Sequence, residues 1–204
     1  MKKFIMSVLL AFAVSAMSFA QFDVSMGSDF MIRRVNVGGN EVETVGTLMA
    51  VDLGGYIFIN DSWYALYRPT SFSWGYLGSY DNSMFHLDLG LGFGARLVLS
   101  EEHSFRAGIA PVFTFEFAKF GTADATSLLF GGSLDLHYQY EPFSDEDVSF
   151  AFIAGTRLQF MPLRIFTTNA NFDTKNMFKV NPYVGVCITF NTSIKNYNMT
   201  KPGF

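Results

Sequence analysis

Between Met84 and Ser100 the chain alternates between apolar and polar or small residues without a break. Phe85, Leu87, Leu89, Leu91, Phe93, Ala95, Leu97 and Leu99 occupy one set of positions. His86, Asp88, Gly90, Gly92, Gly94, Arg96 and Val98 occupy the other. A helix would scatter both sets around its axis, whereas a strand places them on opposite faces. The same device returns along the chain. Phe105, Ala107, Ile109, Phe113, Phe115 and Phe117 oppose Arg106, Gly108, Ala110, Thr114 and Glu116. Leu128, Phe130, Leu134, Leu136, Tyr138 and Tyr140 oppose Gly131, Ser133, Asp135, His137 and Gln139. Val148, Phe150, Phe152, Ala154, Leu158 and Phe160 oppose Gly155, Arg157 and Gln159. Val184, Val186, Ile188 and Phe190 oppose Asn181, Gly185, Cys187 and Thr189. Fainter copies run from Phe22 to Arg33, with Asp23 and Asp29 among the polar positions, and from Val45 to Ile59 around Asp52. A short aromatic stretch covers Ser62 to Arg68.

Eight strands are therefore expected, and their connections suggest how they are arranged. The links Asn60-Asp61, Ser100 to Ser104 and Pro142 to Asp147 are short. The links Arg34 to Glu43, Pro69 to Ser83 and Pro162 to Phe178 read as long loops, and Gly121 to Ala125 as an intermediate one. Short and long links alternate. An even-numbered antiparallel barrel in an outer membrane has short periplasmic turns and longer outer loops. With a periplasmic N-terminus, every long link falls outside. The all-β expectation is thus an eight-stranded antiparallel up-and-down transmembrane barrel. A soluble lipocalin-like barrel would turn the apolar faces inward. Against that, the polar faces carry many Gly, Ser and Ala but few charges, which suits a crowded lumen better than a solvated exterior. Trp63, Tyr138 and Tyr140 near strand ends suit an aromatic girdle.

Composition narrows the picture further. The 204 residues include 24 Phe and 9 Tyr, and only 16% are charged, so a disordered chain is excluded. After residue 20 no apolar run approaches the ~20 residues of a membrane helix. A net charge of -4 offers no general attraction to nucleic acid. The single cysteine, Cys187, can form neither an internal disulfide nor a cysteine zinc site, and reads as a buried, unreactive thiol. Lys2 and Lys3 precede an apolar stretch from Phe4 to Val14, and Ser18-Phe19-Ala20 supplies small residues for a signal peptidase. Residues 1–20 are expected to be a cleaved export signal, 21–191 the barrel and 192–204 a tail.

Taken with the strand count and loop alternation, the segment Tyr183-Val184-Gly185-Val186-Cys187-Ile188-Thr189-Phe190 makes the mature chain resemble the small eight-stranded outer-membrane barrels, the OmpA/OmpX-like family of Gram-negative bacteria. The resemblance implies a monomer in the outer membrane, in contact with its lipid, with Tyr183 to Phe190 offered to the barrel-assembly machinery. Most members end on the aromatic residue of that strand. Here Asn191 to Phe204 follow it, which leaves the role of the tail open.

Candidate chemistry lies on the inward faces. The expected lumen network comprises Asp29, Arg33, Asp52, His86, Asp88, Arg96, Arg106, Glu116, Asp135, His137 and Arg157. Pivoting the fourth and fifth strands about Glu102 places Asp88 opposite Glu116. Arg96 and Arg106, near the periplasmic end, are expected to balance Asp52 and Asp135. The pairs His86/Asp88 and Asp135/His137 fall at different depths, separated by roughly 18 Å at ~3.3 Å per residue and ~45° tilt, so no shared metal or catalytic site is expected. Gly90 to Ala95 lacks the following helix that a dinucleotide loop needs. No cofactor or metal is implied.

Three functions suit such a barrel. One is a scaffold whose outer loops touch an extracellular partner through Trp74, Tyr76, Tyr80, Arg164 and Lys175. Another is a narrow passive channel. The third is a lipid-modifying enzyme, for which Ser83, His86 and Asp88 form the only local cluster. A soluble binding barrel remains the alternative from a different class. The scaffold is the expected function, and no enzyme is expected.

Overall fold

In the computed structural model, residues 21–37, 39–59, 62–77, 79–120, 123–144, 148–169 and 172–190 are described. The expected export signal and tail lie outside them. The described chain forms eight strands: β1 (Gln21–Val37), β2 (Asn40–Phe58), β3 (Trp63–Leu77), β4 (Ser79–Val98), β5 (His103–Phe120), β6 (Ala123–Ser144), β7 (Val148–Thr167) and β8 (Phe172–Phe190). Each pairs with its sequence neighbours, and β1 closes on β8, all antiparallel. Closure removes both sheet edges, so no strand is left with a wholly unpaired side. The basal mouth is the end where β1 begins and β8 ends. The distal mouth lies opposite.

Alternation along the strands decides which side is which. Phe93, Leu91 and Val184 stand exposed on the outside, at 56%, 62% and 65%. Their chain neighbours on the other face, among them Asp88, Arg106, Asp135 and Asn181, are buried. A soluble barrel would show the reverse arrangement, and a continuous apolar belt of this kind is not left bare by monomeric soluble proteins. Trp63, Tyr138 and Tyr140 ring the basal side of the belt, and Trp74 and Tyr76 lie on its distal side. Two aromatic girdles flanking a lipid-facing band give this pattern.

The distal connections are not the long loops that the sequence suggested. Only positions 38 and 39 separate β1 from β2, position 78 separates β3 from β4, and 168–171 separate β7 from β8. Most of Arg34 to Glu43, Pro69 to Ser83 and Pro162 to Phe178 is paired strand. A strand of 20 residues such as β4 rises roughly 47 Å at ~3.3 Å per residue and ~45° tilt, well beyond a ~25 Å lipid band. The wall therefore continues past the belt. There the outer face carries exposed polar residues such as Arg34, Arg164 and Lys175, so the alternating apolar signal fades while the backbone ladder persists. Pro69 and Pro162, which read as loop starters, sit at register shifts opposite Gly54 and Gly131. At a bulge the missing N–H of proline removes no ladder bond.

Candidate functional site

The interior is filled by charges that pair across it. Near the distal end Arg33 of β1 reaches Glu116 of β5, with Nη1 3.0 Å from Oε2. Arg33 Nε also donates to Thr44 at 3.1 Å. Glu116 accepts from Thr174 Oγ1 at 2.6 Å and from His86 Nε2 at 3.2 Å. Below this, Lys179 of β8 donates to Asp88 of β4, and its ammonium lies 3.5 Å from Asp29. Thr114 donates to the other oxygen of Asp88 at 2.7 Å. Further down, Arg157 of β7 binds Asp52 at 2.8 Å and Asp135 at 3.2 Å. Asp135 also accepts from Tyr183 at 2.7 Å and contacts His137 Nδ1 at 3.1 Å, and Ser71 donates to Asp52. Each acid is thus met by a cation or by several donors, which is what makes a buried charge tolerable.

Apolar side chains share this interior. Met31, Leu48, Met84, Leu129, Met161 and Met177 all point inward and are buried. The side-chain-filled lumen is thus polar and apolar by turns. Flexible methionines fill the irregular space between ion pairs. Toward the base, Tyr56 packs edge-on against Tyr64, with ring centroids 5.3 Å apart. Gly94 makes room for this pair: a Cβ there would lie 2.5 Å from the Tyr64 ring. Gly155 does the same for His137 and Tyr183, at 2.5 and 2.9 Å. Large lumen side chains and glycines are complementary parts of one wall.

All eleven expected lumen residues lie on inward positions, but several partners differ. Glu116 faces His86 across the ladder, and Asp88 faces Thr114. The turn pivots about Glu101 and not Glu102, which moves each ladder partner by two positions, so the carboxylates of Asp88 and Glu116 belong to separate clusters. Arg157 binds both Asp52 and Asp135. Arg96 and Arg106 stand over the aromatic rings of Phe58 and Tyr56. Lys179, Tyr183 and Thr174 were missed. The expected last strand starts at Val180, one position too late for Lys179. Only the extension of β8 past the lipid band brings Thr174 inward.

The five expected loop contacts are all in strands. Trp74 and Tyr76 lie in β3, opposite Met49 and Thr47 of β2, on the outer face. Arg164 lies in β7 and Lys175 in β8, both exposed. Tyr80 belongs to β4, and its side chain lies outside the described residues. The candidate enzyme cluster does not assemble. Ser83 has the outward parity of β4, while His86 and Asp88 point inward onto Glu116 and Lys179.

No protein-family model matches the chain, and no curated protein does. Solved structures do. Neisserial surface protein A (NspA) matches at 13% identity with a TM-score of 0.52, over 83% of this chain and 97% of that one. OprG from Pseudomonas aeruginosa (9%, TM-score 0.44, 84% and 96%) and Ail of Yersinia pestis (12%, 0.40, 83% and 99%) are more distant in shape. The likeness to NspA shows the fold. It is the fold of the small outer-membrane β-barrels.

Proposed function

We propose that this chain is an outer-membrane barrel of a diderm bacterium that seals its own lumen and serves as a surface scaffold. Its basal mouth faces the periplasm, and its distal strand extensions face outward. The ion pairs that reach across the interior carry this reading. Arg33 to Glu116 and Lys179 to Asp88 each join walls on opposite sides of the ring. Eight strands enclose an interior only wide enough for side chains, and here charged groups and a methionine collar occupy it. Such a wall has no enzymatic or transport task of its own. Its function lies in what the raised distal rim presents, whether to an extracellular partner or to other envelope components. Arg164, Lys175, Trp74 and Tyr76 lie exposed on or near that rim.

The test has two stages. The chain folded in detergent should migrate differently on SDS gels before and after boiling. Reconstituted in planar bilayers, the same sample should give no steady conductance steps. Heat-modifiable protein with reproducible conductance would refute the sealed lumen and install the narrow channel. Protein that stays soluble without detergent and shows no mobility shift would refute the membrane location.

A further inference from the structure

The distal rim is not level. β1 stays paired on both sides to its very end: Val35, Asn36 and Val37 face Thr174, Asp173 and Phe172 of β8 on one side, and Val42, Glu41 and Asn40 of β2 on the other. The neighbouring strand is shorter. β3 ends at Leu77, and the ladder between β2 and β3 reaches only as far as Thr47 opposite Tyr76. Among the described residues, Asn40 to Gly46 of β2 therefore have no ladder partner on the β3 side. Strands β8, β1 and β2 form a tongue that stands above the wall, and β2 is its edge.

A strand edge is a row of backbone donors and acceptors open to another chain, and proteins guard such edges with lysine, proline or a bulge. Asn40 to Gly46 contains neither lysine nor proline, and its register with β1 is unbroken. Two valines on it are bare, Val42 at 42% exposure and Val45 at 70%. Glu41 and Glu43 are exposed and share the outward parity of Met49. On the β1 side Glu41 faces the neutral Asn36, and Glu43 faces Arg34. On the open side both acids await a cross-strand neighbour.

We infer that the distal edge of β2 accepts an extended segment of another protein as an added strand, one with basic residues at alternate positions. The backbone edge supplies affinity, and side chains on alternate positions supply selectivity. Glu41 and Glu43 lie two positions apart on one face, the spacing that alternate lysines or arginines of an added strand match. β-Branched residues between them suit Val42 and Thr44 on the other face. A second copy fits poorly. Two copies in one membrane point the same way, so their β2 edges would pair in parallel and set each acid beside its own counterpart. The inference rests on the outward-facing rim of the proposed scaffold and names what that rim takes.

The experiment uses the full chain folded in detergent micelles, and only protein that shows the heat-dependent gel shift and no conductance. Failure here would thus leave the sealed scaffold standing. Amide hydrogen exchange of Asn40 to Gly46 is followed by NMR during titration with the six-residue peptide (Lys-Val)3. The controls are (Glu-Val)3 and a peptide of the same composition with its lysines in one block. The expected result is saturable protection of these amides by (Lys-Val)3 alone. E41K/E43K should weaken that peptide by about tenfold or more and turn the preference toward (Glu-Val)3. Should that variant fail to fold, the three peptides on the wild-type chain still decide. Equal protection by the lysine and glutamate peptides would overturn the proposal. So would equal protection by the blocked peptide, or binding of (Lys-Val)3 that leaves Asn40 to Gly46 unprotected. Protection that rises with protein concentration and needs no peptide would assign the edge to a second copy and overturn it too.

Discussion

Replacing Arg33 with methionine isolates what a cross-lumen ion pair contributes. Methionine keeps much of the length and apolar stem but removes every donor. Glu116, 2% exposed, would then keep only the Thr174 hydroxyl at 2.6 Å and His86 at 3.2 Å. At an effective dielectric constant of about 20, a 3.0 Å separation corresponds to a gross attraction of about 5–6 kcal/mol. Much of that is offset by desolvation in the intact protein. Breaking one side of a buried pair is different, because the abandoned charge stays buried, and costs about 3–5 kcal/mol. R33M should therefore lower the folding equilibrium constant by roughly two to three and a half powers of ten. The double variant R33M/E116L removes the abandoned charge and should recover at least about 2 kcal/mol relative to R33M. Urea unfolding in phospholipid vesicles measures both, followed by Trp63 and Trp74 fluorescence and by gel mobility. A loss below about 1 kcal/mol for R33M, or strictly additive effects in the double variant, would refute the reasoning.

Other outcomes test different parts of the structure. Leu91→Lys places a charge on the bare outer face and should destabilise the barrel by about 2–4 kcal/mol in vesicles; a neutral effect would contradict a lipid-facing belt. Tyr183→Phe removes one donor from Asp135 and should cost about 1.5–3 kcal/mol by the same unfolding assay, with the gel shift retained. Gly94→Val drives side-chain atoms into the Tyr64 ring and the Ala107 carbonyl, and should cost more than about 2 kcal/mol or prevent closure. Paired with Tyr64→Ala, part of that loss should return; if none does, the glycine's role is not to accommodate the ring.

The sequence was most legible where one face meets lipid and the other does not. There the alternation along β4 to β7 puts Asp88, Glu116, Asp135 and Arg157 on the inward face, where they are buried. It fails beyond the belt, because the outer face there is partly polar too, and hydropathy no longer separates the two faces. The distal ends of β1 to β4, β7 and β8 consequently read as loops. The inward methionines were equally hard to see. Met31 and Leu129 occupy polar-face parity, yet an enclosed space between ion pairs must be filled as well as charged. Partner choice was the least legible feature. A shift of two positions in one ladder leaves every face unchanged but exchanges Glu116 for Thr114 opposite Asp88. The pairing of Lys179 with Asp88 depends on curvature that brings β8 and β4 face to face, and no local pattern records it.

The closed seam has a consequence in time. Gln21 donates to Thr189, 168 positions along the chain, only when the last strand has come round to the first. Arg33 and Glu116 lie 83 positions apart, and Lys179 and Asp88 lie 91 apart. Neither pair can form while the sheet is still an open ribbon, since their walls face each other only in the finished ring. Local hairpins can assemble early, but these bridges arrive last. Interactions that form after the rate-limiting step slow unfolding and leave the rate of assembly almost untouched. The charged bridges act as a latch: they set how long a folded barrel lasts, not how quickly one is made.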